Sequence, residues 1–160
     1  MNNKWILSSA FLISFTSFAN QEVHTIGVGI GAGDYGVRDT SIGNTHIFYS
    51  YQFLDSWKAE LNYSSADTVI DLDSLSINVK REFSLSKRNE LYIKGGAAFY
   101  DYNVSKGDLA NLANDGAGIT ASAGWQYSFQ NNLGVYAEYT YIDLGDIDSI
   151  TLNIGVSFSF

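Results

Sequence analysis

Over the last eleven residues, large apolar side chains fill every even position: Ile150, Leu152, Ile154, Val156, Phe158 and Phe160. Thr151, Asn153, Gly155, Ser157 and Ser159 fill the odd ones between them. A two-residue period puts the two sets on opposite faces of a β-strand. About 11 residues is also the length at which a tilted strand crosses a bilayer. The same period recurs upstream. It predicts strands over Val23–Gly33, Thr45–Phe53, Trp57–Ser64, Leu75–Phe83, Glu90–Tyr100, Gly118–Phe129 and Leu133–Ile142. Leu54-Asp55-Ser56, the region around Lys87, and Gln130-Asn131-Asn132 read as short turns, and the four other connections as longer loops. About eight strands joined alternately in this way predict an all-β fold, a closed antiparallel up-and-down transmembrane β-barrel. Eight is the smallest even closure whose interior is filled by side chains. Two places disturb the period. Ile70 and Leu72 fall on even positions while the apolar face of the fourth strand is odd, which predicts a bulge near Asp73. Arg81 falls on the apolar face, near the strand end, where a charge can reach the interface.

The composition of the polar face decides which side faces inward. It holds glycine, serine, threonine and asparagine, with Lys58, Lys80 and Lys94 against Glu60, Glu82 and Glu138. Small residues and balanced charges suit a narrow, packed polar lumen, and the apolar face then meets lipid. A soluble barrel would carry the reverse pattern. Symmetry of the hairpin about Lys87 sets Lys80 beside Lys94, with Glu60 and Glu138 as candidate counter-ions. Unpaired buried charges are costly, so these six residues are expected to form a hydrogen-bonded network. A gate or proton path is one reading of it; a plug that closes the barrel and sets its register is the reading adopted. Two aromatic belts are expected at the interfaces. Phe53, Trp57, Phe83, Phe129 and Phe160 would form one, and Tyr35, Tyr63, Phe99, Tyr139 and Tyr141 the other.

Composition narrows the picture further. The chain has no proline, as fully paired strands require, and no cysteine, so neither disulfides nor an acylated cysteine contribute. Residues 1–19 read as a signal peptide: Lys4, an apolar stretch from Trp5 to about Phe15, and Ser17-Phe18-Ala19 as a cleavage site. Residues 20–160 would be the barrel domain. Removing Lys4 leaves eight basic against seventeen acidic residues, a net charge of −9 that argues against nucleic acid as a partner. Of twelve aspartates, only Asp55 lies in a short turn; the others lie in or beside the long loops. Such carboxylates could bridge through Ca²⁺ or Mg²⁺ to lipopolysaccharide phosphates. Asp143, Asp146 and Asp148 are the densest group, but without EF-hand spacing they read as a solvated loop rather than a metal site. The loop over Asp101–Gly116 is the expected binding surface, with a helical turn over Asp108–Asn114.

No catalytic constellation emerges. His24 and His46 are the two histidines. His24 is expected at the edge of the barrel near the N-terminus and His46 near the loop end of the second strand, both as ordinary interface or loop residues. Gly27, Gly29 and Gly31 alternate within a strand and precede no helix, so they are not a dinucleotide loop. No enzyme activity, cofactor or metal is expected.

The chain resembles the OmpA/OmpX-type small outer-membrane barrels. The resemblance rests on the signal segment, the turn and loop alternation, and three stretches: Gly124-Trp125-Gln126-Tyr127-Ser128-Phe129, Ala137-Glu138-Tyr139-Thr140-Tyr141, and Gly155-Val156-Ser157-Phe158-Ser159-Phe160. It implies a bacterial outer-membrane location, with both termini periplasmic and the loops extracellular. It implies that Phe158 and Phe160 act as the signal to the outer-membrane assembly machinery. It implies a monomer contacting outer-membrane lipids and lipopolysaccharide, with a structural or cell-surface interaction role and a closed lumen. OmpA itself adds a peptidoglycan-binding domain, and this sequence ends at the barrel. A small pore is the alternative, followed by an outer-membrane lipid-modifying enzyme. Lipid A deacylases of this shape carry a His-x-Ser pair, which neither His24 nor His46 begins.

Overall fold

The computed structural model describes residues 23–36, 42–67, 70–104 and 113–160. They form eight strands: β1 (His24–Asp34), β2 (Ile42–Leu54), β3 (Trp57–Asp67), β4 (Ile70–Ser84), β5 (Asn89–Val104), β6 (Ala113–Ser128), β7 (Leu133–Asp143) and β8 (Asp148–Ser159). Each strand pairs antiparallel with its sequence neighbours, and β8 closes on β1. Turns at 55–56, 85–88 and 129–132 lie at one end of the barrel. Ser56 (φ 63°) and Asn132 (φ 65°) take the left-handed conformation there. Asn tolerates it because its short polar side chain can bond the local backbone.

The register fixes the barrel's shape. Cross-strand partners run from His24 to Tyr51, Ala59, Val79, Gly95, Ala121, Tyr141 and Ile150, and return to β1 at Asp34, a shear of ten residues. With a rise of ~3.3 Å per residue and strands ~4.8 Å apart, that shear tilts the strands by about 40°. The lumen of such a barrel is only wide enough for side chains.

The polar face points inward. Ser50, Lys58, Glu60, Asn78, Thr140 and Asn153 are buried, while Ile30, Ile47, Ile77, Ile119 and Ile154 lie exposed on the outer wall. This is the reverse of a soluble barrel and the arrangement lipid demands.

Three expectations need correction. No bulge occurs near Asp73, because β4 runs unbroken from Ile70 and keeps register with both neighbours. Ile70 and Leu72 are lumen residues, and it is the lumen itself that turns apolar at this end. Among the described residues the strands also run further than predicted: β5 reaches Val104 and β6 begins at Ala113, both inside the predicted third loop. The long third loop shortens accordingly. Most of the helical turn expected over 108–114 lies outside the described residues, and its last two, Ala113 and Asn114, belong to β6. Residues 1–22, including the signal segment, also lie outside the described residues. Finally, Tyr35 is buried inside the barrel end, not in an outer belt.

Candidate functional site

The lumen is filled from the register upward. Lys58, Lys80 and Lys94 are direct cross-strand neighbours on β3, β4 and β5, so the sheet sets three like charges in a row. Like charges directly opposite repel. Carboxylates pair with them in two groups, two lysines on one glutamate and one lysine on two, so that only the six residues together balance. Toward the turn end, the Glu82 carboxylate lies 3.0 Å from Lys58 Nζ and 2.8 Å from Lys80 Nζ. Lys80 Nζ also stands 4.0 Å over the Tyr92 ring. Above it, Lys94 Nζ lies 2.6 Å from Glu60 and 2.6 Å from Glu138, the latter reaching across the lumen from β7. Ser50 donates to Glu60 at 2.9 Å and Thr140 to Glu138 at 3.0 Å. All six ionic residues are at most 8 % exposed. The expected pairing is therefore rearranged: Glu60 and Glu138 both serve Lys94, and Lys80 takes Glu82 from its own strand.

Glycine makes room for rings that cross this narrow space. A methyl group on Gly124 would overlap the Tyr92 ring, and one on Gly29 or Gly155 would overlap the Tyr136 hydroxyl. The glycine face of β1 is thus a wall against which the aromatic fill packs. Gly124→Leu is expected to cost about 1–3 kcal/mol by overpacking. The urea midpoint of the folded, heat-modifiable band on a gel would measure it.

Tyr136 brings in a residue the sequence reading misplaced. His46 is not an interface residue; it is 9 % exposed within the lumen, with Nε2 2.6 Å from the Tyr136 hydroxyl. Its even position on β2, in line with Asn44 and Ser50, was the available signal. Above it lies a cavity of about 20 Å³ bordered by Asn44, His46, Asn62 and Glu138. Asn44 Oδ1, His46 Nδ1 and Asn62 Oδ1 lack protein partners there. The volume admits one water at most. His46 Nε2 is thus engaged by the Tyr136 hydroxyl and not by the serine and threonine hydroxyls that share this cavity.

The lumen ends in an apolar cap. Tyr35, Ile42, Ile70, Leu72, Tyr102 and Leu144 are at most 3 % exposed and belong to one cluster inside the loop end. Burial pushes the Tyr35 hydroxyl up to about 12, partly offset by its hydrogen bond with Ser149. Alternation forces polar residues outward where the inward ones are apolar. The outer wall at this level accordingly carries Asp71 and Asp73 beside Leu72, and Asp101 and Asn103 beside Tyr102. The capped end therefore stands beyond the lipid-facing belt.

On that outer wall Asp73, Asp101 and Asp115 are direct neighbours across β4, β5 and β6; Asp67 faces Asp71, and Asp143 faces Asp148. Tyr63 donates to Asp73 at 2.6 Å and Tyr141 to Asp148 at 2.8 Å. These phenols carry their rings toward the lipid belt and their hydroxyls toward the carboxylates, as interface residues do. Asp34 and Asp143 accept from the backbone N–H of Gly36 and Gly145, which makes them turn formers. No group of three His, Cys, Asp or Glu among the described residues is arranged to hold a metal ion.

At the seam, His24 N–H donates to the Phe160 carbonyl at 3.0 Å and Phe160 N–H to the His24 carbonyl at 2.8 Å. The His24 ring lies 5.4 Å from that of Phe160, and Phe158 lies 6.1 Å from Phe160. His24 Nδ1 is also 2.8 Å from the Tyr49 hydroxyl.

A closed eight-stranded barrel with an apolar exterior and a charged, filled lumen defines a small membrane β-barrel. The family model for the outer membrane protein beta-barrel domain matches residues 6–160, and the chain belongs to that family. Among solved structures, Neisserial surface protein A is similar at TM-score 0.72 and 16 % identity, covering 86 % of this chain and 97 % of that one. The N-terminal barrel of Pseudomonas aeruginosa OprF is similar at TM-score 0.67 and 17 % identity, covering 85 % and 97 %. Ail, the attachment invasion locus protein of Yersinia pestis, is similar at TM-score 0.62 and 19 % identity, covering 86 % and 97 %. At these identities the likeness is one of fold. No curated protein matches the sequence.

Proposed function

We propose that this chain is a closed-lumen outer-membrane barrel that serves as a structural and cell-surface component, without conductance or catalysis. The observation that carries the reading is a lumen blocked twice in series, by the Lys94-centred charge network and by the apolar cap. A continuous pore would need both to move. Steady channel currents from the purified protein in planar bilayers would overturn the proposal. Glu138→Ala is expected to lower the melting temperature while leaving the bilayer silent, because the cap remains.

The turn end is taken as periplasmic and the acidic loop end as extracellular, with residues 1–19 removed on export. Phe158 and Phe160, at the seam strand, are proposed as the signal read by the assembly machinery. The six lumen charges are proposed to hold register rather than to move protons, and the barrel is proposed to work as a monomer. Its outer aspartates would meet lipopolysaccharide phosphates only through divalent cations, with the ligand supplying part of the coordination. The acidic wall separates this chain from one neighbour. Ail has a structure in complex with the heparin analogue sucrose octasulfate. A polyanion of that kind would be repelled by the Asp73–Asp101–Asp115 row. No binding of sucrose octasulfate is therefore expected by calorimetry at physiological salt.

A further inference from the structure

Among the described residues, the cations outside the lumen are Arg81, Lys87 and Arg88, all on the β4–β5 hairpin. Arg81 is the anomalous one. It lies exposed on the outer wall, opposite Trp57 on β3 and Ile93 on β5, with Val79 and Phe83 on either side along β4. Its guanidinium carbon stands 4.8 Å from the centre of the Trp57 ring and 5.4 Å from that of Phe83. Among the described residues Arg81 forms no ion pair. The two rings take up the π face of the guanidinium but accept none of its in-plane N–H bonds. In the lipid belt the acceptors that can reach it are lipid headgroup oxygens, and phosphate matches the guanidinium fork.

We propose that Trp57, Arg81 and Phe83 form a headgroup site for an anionic glycerophospholipid such as phosphatidylglycerol. The lipid phosphate meets the edge of Arg81, and an acyl chain runs along Val79 and Ile93. The rings hold the guanidinium in place, so binding costs less side-chain entropy than a free arginine would lose. Arg81, the cation at contact distance, supplies most of the positive potential that favours net negative charge over zwitterionic lipid, and Lys87 and Arg88 at the adjacent turn add to it at longer range. Arg88 itself is directed to the Tyr127 hydroxyl at 3.4 Å, on the β6 side of the hairpin. The site therefore rests on Arg81. Its biological setting also rests on the proposed orientation, in which the turn end faces the phospholipid leaflet.

The test uses the barrel extracted from the outer membrane of an expressing bacterium. It is reconstituted in bilayers with equal phosphatidylglycerol and phosphatidylethanolamine in both leaflets. After re-extraction, native mass spectrometry identifies the lipid retained. Wild type is expected to retain phosphatidylglycerol over phosphatidylethanolamine by roughly tenfold, the yield of one charge-assisted contact. Arg81→Gln should lose that preference, while Lys87→Gln/Arg88→Gln should keep most of it. Heat-modifiable migration on a gel selects folded material for each variant. Equal retention of both lipids by wild type, or an unchanged preference in Arg81→Gln, overturns the site. Because both leaflets hold the anionic lipid, neither result depends on orientation. Orientation is tested separately by protease access to the acidic end in intact cells.

Discussion

Lys94→Met is expected to destabilise the barrel by about 3–5 kcal/mol, since it strands two buried carboxylates at once. Lys94 is the cation within 2.6 Å of both Glu60 and Glu138. Its removal leaves hydroxyl donors alone, Ser50 to Glu60 and Thr140 with Tyr92 to Glu138. A hydroxyl offsets only part of the desolvation cost of an anion. Urea unfolding in vesicles, followed by the loss of the heat-modifiable band, would read the change as a lower midpoint. The triple variant Glu60→Leu/Lys94→Met/Glu138→Leu should regain part of the loss, because no stranded carboxylate is then left to desolvate, while Lys58 and Lys80 share Glu82 alone. That reversal is what distinguishes a balanced charge network from simple packing. If Lys94→Met alone lies within about 0.5 kcal/mol of wild type, as surface substitutions do, the network contributes nothing to stability.

The barrel was legible because a two-residue period carries the face of every strand. Once β8 is read as apolar on Ile150, Leu152 and Ile154, the polar partners Thr151 and Asn153 must point into the lumen. The juxtaposition of Lys80 and Lys94 followed from hairpin symmetry alone, and the register contains it. What alternation does not carry is the third dimension across the lumen. Glu138 reaches Lys94 from β7, two strands away from β5, and nothing in the spacing of either strand records it. Alternation also misled wherever lumen polarity changed. Ile70 and Leu72 look like a phase error only if the lumen is assumed polar throughout. Read with Asp71 and Asp73 as the outward residues, the same phase continues through β4 without a bulge. His46 was misplaced for a simpler reason. Its nearness to a strand end suggests an interface residue, whereas its even position shares a face with the lumen residues Asn44 and Ser50.

The cap offers the sharpest test of that phase. Leu72 is 3 % exposed, with Ala66 and Tyr102 as its cross-strand partners and Ile70 two positions along β4. Leu72→Asp would bury a carboxylate among side chains with no cation to pair it. An effective penalty of several kcal/mol is expected. The loss should be local. Below the cap, Asn44, Asn153 and the two charge groups keep their partners, so the membrane-spanning part should stay heat-modifiable. The ends of β4 and β5 should instead gain protease sensitivity and fast hydrogen exchange, as in a region opened independently of the rest. With a bulge near Asp73, residue 72 would face outward beside other aspartates, and the substitution would change stability by no more than about 0.5 kcal/mol. Conductance separates the two plugs. A silent Leu72→Asp barrel means that the Lys94 network suffices to close the lumen. A conducting one means that the cap is the seal, and that the charges below it serve register alone.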